Sequence, residues 1–229
     1  MTGTVINAAA IAGAGLVGLL LRRGIAENFS KSIQDGLALL VFIIGVKYGF
    51  QADNFAVIGL SLALGAVIGE WRQWEHRLEA LGTKIQSRFS FGGSDFVKGF
   101  VSASLLFCVG AMGVVGALED GLTGNYQILL IKSLLDGIFS IIFAASMGVG
   151  VLFSSIPVLL YQGAISLGAG FLKPLLSDPM LNNITALGGI LIAGLGLNLL
   201  GLTRIRVANL LPGLILVPFI MLLFQHLPF

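Results

Sequence analysis

Charge is what this sequence is short of. Of its 229 residues only 10% are Asp, Glu, Lys or Arg, while 56% are hydrophobic. A soluble domain carries about 25% charged residues, so this chain could not cover its surface with polar groups in water. The 13 basic and 11 acidic residues leave a net charge of +2, too small a surplus to argue for nucleic acid as a partner. There is one cysteine, Cys108, inside an apolar run. Alone it makes no internal disulfide and offers no metal set, and it reads as a small helix-packing residue. No zinc spacing, nucleophile-and-base set or phosphate loop appears, so neither an enzyme nor a cofactor is expected. The N-terminus lacks a basic stretch before its apolar run and a cleavage-like site leading into a soluble domain. It reads as a membrane helix rather than a removable signal.

What the chain does have is glycine, 32 of them, and long apolar runs. Runs of about 20 apolar residues match a bilayer core about 30 Å thick. The expected fold is all-α: a polytopic transmembrane helix bundle forming a single membrane domain over 1–229. Eight spans are expected, at about 4–21, 34–50, 55–69, 97–118, 131–154, 158–172, 184–202 and 207–224. A proline-broken loop, Lys173 to Asn183, precedes the seventh. Gly13-Ala14-Gly15-Leu16-Val17-Gly18 is formally G-x-G-x-x-G, but without a strand before it the dinucleotide reading fails. Small residues at helix spacing let backbones approach closely in lipid. Gly45-x-x-x-Gly49 and Gly65-x-x-x-Gly69 read the same way.

Glu70 to Phe89 differs from the rest. Trp71, Trp74, Leu78, Leu81, Ile85 and Phe89 recur at steps of three and four, with charges on the other side. This pattern predicts an amphipathic helix in the membrane interface. Basic loops set the orientation. Arg22, Arg23 and Lys31, then Arg72 to Lys98, then Arg204 and Arg206 fall on one side if every span crosses once. That side is cytoplasmic and both termini face outward. Lys132 and Lys173 on the outer side are misfits, and Gln225 with His226 reads as interfacial.

Lys132-Ser133-Leu134-Leu135-Asp136-Gly137 echoes Lys31-Ser32-Ile33-Gln34-Asp35-Gly36. Both read K-S-x-x-D-G, and each opens a hydrophobic run. The expected topology places them on opposite membrane faces, as in an inverted-topology repeat of helices one to three against four to six. Repeat one then covers about 3–69, the interfacial helix 70–89, repeat two about 97–172 and a C-terminal helix pair about 184–225.

The segments Gly3-Thr4-Val5-Ile6-Asn7, Leu106-Phe107-Cys108-Val109-Gly110-Ala111-Met112-Gly113, Lys132 to Gly137 and Asn209-Leu210-Leu211-Pro212 carry a specific likeness. Through them the chain resembles the YqgA/YdfK family of bacterial inner-membrane proteins, over essentially its whole length. The resemblance implies a bacterial inner-membrane location. The family is a domain of unknown function, sometimes labelled a transport protein, and supplies no catalytic residues.

Asp35 and Asp136 lead the candidate residues. A carboxylate inside a bundle marks an ion or substrate path, while at the first turn of a helix it merely favours the dipole. Asn7, Asn198 and Asn209 are amides in apolar segments, suited to interhelical hydrogen bonds or cation coordination. Pro212 after Asn209 deprives the Ala208 carbonyl of its usual partner. Pro157 is expected to interrupt the chain at Ser154-Ser155-Ile156-Pro157, with Tyr161 and Gln162 nearby. Glu70 reads as structural. The expectation is a small-solute or ion transporter or channel, with the lipid bilayer, a small solute or ion, and a homodimer or higher homo-oligomer as partners. The alternative is a non-transporting scaffold, sensor or partner subunit.

Overall fold

Apolar runs broken by glycine and proline become helices broken at the same kinds of residue. The computed structural model describes residues 1–22, 27–89, 95–108, 111–172 and 177–225. Arg23, the Gly92-Gly93 turn, Gly110, Lys173 and His226 lie outside the described residues. Among the described residues all regular structure is helical: α1 (Thr2–Arg22), α2 (Glu27–Gly49), α3 (Phe55–Arg72), α4 (Trp74–Phe89), α5 (Asp95–Cys108), α6 (Ala111–Thr123), α7 (Gln127–Met147), α8 (Gly150–Phe153), α9 (Ser155–Leu167), α10 (Ala169–Leu172), α11 (Asp178–Leu199), α12 (Val207–Leu210) and α13 (Pro212–Gln225). Among the described residues, seven segments are long and apolar enough to cross a membrane, or eight if the bent pair α5 and α6 is one span.

Several boundaries correct the sequence reading, each for a local reason. The helix expected over 97–118 is two pieces, bent by 63°. The next break falls at Gly148 rather than at Pro157. Gly148 has φ +86 and ends α7, a conformation that costs glycine little. Pro157 sits in the first turn of α9, where a missing N–H leaves no helical bond unmade. The chain at Ser154 stays right-handed helical, so the span runs through it. Pro179 likewise starts α11 instead of breaking a loop. Glu70 to Arg72 belong to α3, which Gln73 closes in the left-handed conformation at φ 53. The amphipathic helix therefore begins at Trp74, and the side chains of Leu78, Leu81, Ile85 and Phe89 lie outside the description.

The chain forms two compact units. Unit one holds Met1–Leu37, Glu79–Cys108 and Met112–Leu175; unit two holds Ala38–Leu78, Val109–Ala111 and Leu176–Phe229. In unit one α1 lies along α7. Asn7 meets Asp136, and the Ile11 carbonyl accepts the Ser140 hydroxyl at 2.7 Å. The Arg22 guanidinium packs on Gly148. The two helices therefore run parallel, with Gly15 and Gly18 turned toward α7 and α8 and Gly13 facing open space.

In unit two the small-residue faces make the contacts. Gly45 packs on Ala193 and Gly189 of α11, and Gly65 on Gly213. Asn54 caps α3, accepting from the N–H groups of Ala56 and Val57, as its residue type favours. Asn183 of α11 accepts from the N–H groups of Asp53 and Asn54 at 3.2 and 3.1 Å. Gly69 shows how tight the packing is: a Cβ there would run into the Asn209 backbone. Gly69→Ala is expected to cost about 1–3 kcal/mol and lower the melting temperature in detergent. Gly59→Ala, whose Cβ meets nothing within 4 Å, is the control. Equal melting of the two variants would refute the close approach.

Candidate polar site in the transmembrane region

The site begins with the two faces of α7. Lys132, Ser133, Asp136, Gly137 and Ser140 are buried, while Ile131, Leu134, Leu135 and Ile138 are exposed. Residues four apart share one helix face, so the polar face turns inward and the leucine face is left for lipid. Asp136 lies about two and a half turns past Gln127, midway along the span. Asp35 lies about two turns past Glu27. Neither occupies a first turn, so the helix-start reading of both aspartates is corrected.

Lys132 Nζ donates to both oxygens of Asp136, at 2.9 and 2.7 Å. Lys132 is therefore a bundle charge, which removes one misfit from the charge pattern of the loops. Asn7 Nδ2 donates to Asp136 Oδ2 at 3.0 Å and to Gln162 Oε1 at 3.3 Å. An ionised carboxylate only accepts, so Asn7 must turn its amide nitrogen toward Asp136. Gln162 must then turn its oxygen toward Asn7. What is left over is Asn7 Oδ1, an acceptor, and Gln162 Nε2, a donor. Both residues are fully buried and neither atom has a partner. Buried polar atoms are rarely left so.

The same region carries two more such atoms, Thr4 Oγ1 and Ser166 Oγ. Thr4 stands one turn from Asn7 on α1, and Ser166 one turn from Gln162 on α9. The Thr4 N–H donates to Asp120 Oδ2 at 3.3 Å, and Asp120 Oδ1 lies 3.0 Å from the Met1 amino group. Gly121 packs on the Ser166 carbonyl. Asp120 is thus a buried residue of α6 at the start of α1. It supplies an acceptor where helical N–H groups have none.

Gly113 of α6 lies against this cluster. A Cβ on Gly113 would lie 3.5 Å from Lys132 Cε, 3.7 Å from the Cys108 carbonyl oxygen and 3.8 Å from Gln162 Nε2. The last carbonyl of α5, the first turn of α6, the lysine stem and the spare amide nitrogen therefore converge on one point.

Of the residues singled out in the sequence, the structure brings Asn7, Asp136 and Gln162 together. Asp35 and Lys31 are exposed and stand outside this cluster, while Gln34 Nε2 donates to the Ser146 carbonyl at 2.8 Å. Tyr161 is half-buried. The Ser154 and Ser155 hydroxyls turn back on their own chain, to the carbonyls of Val151 and Leu152 at 2.6 and 2.7 Å. Asn209 belongs to unit two. It donates to Glu70 Oε2 at 2.6 Å and accepts the Glu75 N–H at 2.7 Å, clasping the α3–α4 corner, where Arg206 also pairs with Glu70. The Ala208 carbonyl is not left open by Pro212: the Leu211 N–H takes it at 3.2 Å. Asn198 ties its own loop through Thr203 and Ile205. Lys132 and Gly113 were passed over as site residues. The signal for Lys132 was its spacing four before an aspartate within an apolar run.

Relatives place this arrangement in context. The chain is 30% identical over 222 residues to the uncharacterised membrane protein YdfK of Bacillus subtilis (strain 168), covering 95% of this chain and 94% of that protein. It is 32% identical over 219 residues to the uncharacterised protein YqgA of Escherichia coli (strain K12), covering 93% of each. No solved structure is significantly similar to it. The family described as "Protein of unknown function (DUF554)" matches residues 2–222, so the chain belongs to that family and is a multi-pass membrane protein.

Proposed function

We propose that this protein is a transporter of a small polar solute or ion in the bacterial inner membrane. The observation that carries the reading is the buried Lys132–Asp136 pair midway along a span, beside a broken helix and two unpartnered amide atoms. Ionisable side chains at membrane depth are expensive and mark substrate or ion paths. Broken helices beside them supply backbone groups for a solute, a recurring device of secondary transporters. An inverted relation between the two K-S-x-x-D-G segments fits this reading, as does a homo-oligomer held through exposed small residues such as Gly59 and Ala63. Purified protein in proteoliposomes, tested for flux over a panel of ions and small metabolites, is the direct test. Folded protein that moves nothing under any gradient would favour a scaffold or sensor.

The transport reading needs a topology, and helix directions support eight spans. α1 runs parallel to α7. Gly45, Gly49 and Phe42 of α2 meet Ala193, Ile190 and Gly196 of α11 in antiparallel order. Ser61, Gly65 and Gly69 of α3 meet Gly213, Leu210 and Asn209 in antiparallel order as well. These directions agree with alternating crossings only if the bent pair α5 and α6 crosses the membrane; seven crossings would reverse all three pairs. Single cysteines at Ser87 and Asp178, in a background lacking Cys108, are therefore expected on opposite sides. An impermeant maleimide should label Asp178→Cys from outside and Ser87→Cys only after permeabilisation. Labelling of both from one side refutes the topology.

A further inference from the structure

We infer that the α3–α4 corner of unit two is a seat for an anionic phospholipid. Its phosphate is held by Arg72, Arg77 and Arg204, and its acyl chains lie along α3. Contacts within unit two define the corner. Arg206 pairs with Glu70, and Asn209 Nδ2 donates to Glu70 Oε2 at 2.6 Å. The Ala208 N–H donates to Glu75 Oε2 at 2.8 Å. These bonds bring the loop after α11 against the end of α3, and they also decide the charge there. Both carboxylates of the corner, Glu70 and Glu75, are turned to α12 and the arginine before it. Arg72, Arg77 and Arg204 are exposed and make no ion pair among the described residues. Three guanidiniums are therefore left facing outward at the end of a span.

The surface leading to them is apolar. Leu60, Leu64, Val67 and Trp71 are exposed, at steps of four, three and four, so they form one stripe along α3. Trp71 is 80% exposed, with the Arg72 guanidinium 5.6 Å from its ring centroid. The stripe stops there because Gln73 ends α3 in the left-handed conformation. An apolar track, then tryptophan, then arginine follows the order of a lipid from acyl chain to phosphate. Tryptophan favours the headgroup boundary. A guanidinium takes two phosphate oxygens through paired N–H donors. A zwitterionic lipid offers the same phosphate but adds an ammonium, which the guanidiniums oppose. A headgroup of net negative charge, such as phosphatidylglycerol, is therefore preferred. A soluble phosphate ester has no chain to lay on the stripe.

The chain has two tryptophans, Trp71 and Trp74, and both stand at this corner. The test reconstitutes the full-length protein in vesicles of phosphatidylglycerol and phosphatidylcholine in equal parts, with matched chains. Bromine is carried on the chains of one lipid or the other and quenches tryptophan on contact. Comparison with Trp71→Phe isolates the signal of Trp71. Brominated phosphatidylglycerol should quench Trp71 more than brominated phosphatidylcholine. Arg72→Gln should lower the relative affinity for phosphatidylglycerol about fivefold, the worth of one cation near an anionic surface. The triple variant Arg72→Gln, Arg77→Gln, Arg204→Gln should lose the preference while melting like the parent. Lys47→Gln, exposed in the last turn of α2, removes the same charge elsewhere and should change nothing. The seat is overturned if both lipids quench equally, if the triple variant keeps the preference, or if Lys47→Gln matches Arg72→Gln. Displacement of brominated lipid by soluble glycerol phosphate would overturn it in favour of a free anion. Quenching of Trp71 by neither lipid would overturn it in favour of a second copy of this chain on the same face.

Discussion

Lys132→Met should be among the most damaging single substitutions in this protein, and Lys132→Met with Asp136→Asn should be milder than Lys132→Met alone. Lys132 and Asp136 are each about nine-tenths buried and in contact at 2.7 Å. Removing one partner of a buried pair leaves the other charge without compensation, which costs about 3–5 kcal/mol. Methionine fills much of the space of the lysine stem, so packing changes little and the effect is electrostatic. In the double variant no charge remains. Asparagine at 136 can still accept from Asn7, which sits 3.0 Å from Asp136 Oδ2. Replacing a whole buried pair by neutral groups is often nearly neutral for stability. The measurement is melting of the detergent-purified protein, or yield of monodisperse protein where the single variant does not survive. A double variant as damaged as the single would mean that the pair holds the fold by shape and not by charge balance.

The spans were legible because a bilayer imposes one requirement on every crossing segment, a long apolar run, and α1, α3, α7, α11 and α13 meet it plainly. Glycine pairs were legible for the same reason, since in lipid close packing replaces the hydrophobic effect. Breaks were not. Proline is a visible signal, yet Pro157 and Pro179 fall in first turns where a helix tolerates them, while Gly148 carries the real break through a backbone angle that nothing in its neighbours announces. The aspartates were found by composition and misplaced by pattern. A hydrophobic run does not show where its helix begins, and Glu27 to Ser30 extend α2 beyond the apolar stretch. Asn7 and Gln162 stood out as amides in apolar segments. That they meet Asp136 depends on α1, α7 and α9 packing together, which no local feature encodes. Lys132 was read as a loop charge because a lysine in lipid is improbable unless its partner is already known.

The two K-S-x-x-D-G segments are expected to respond differently to the same change. Asparagine matches aspartate in size and hydrogen-bonds similarly, so Asp→Asn isolates the charge. At Asp136 that charge holds the Lys132 ammonium through two short contacts and sits midway along a span. Losing a hydrogen bond to a charged group costs about 1.5–3 kcal/mol, so flux in proteoliposomes should fall by roughly 10- to 100-fold. Asp35 is exposed on α2 and stands outside the Asn7–Asp136–Gln162 cluster, so Asp35→Asn should change flux by less than about twofold on the scale of surface charge effects. Asp35→Asn should retain parental helicity and yield, whereas Asp136→Asn leaves the buried Lys132 ammonium without its partner and should also lower the melting temperature, so flux is compared per amount of folded protein. Equal large losses would instead mean that the aspartates serve one pathway symmetrically, with Asp35 drawn into it in a conformation other than this one. Equal small losses would remove Asp136 from the transport mechanism and leave its pairing with Lys132 as a feature of the fold alone.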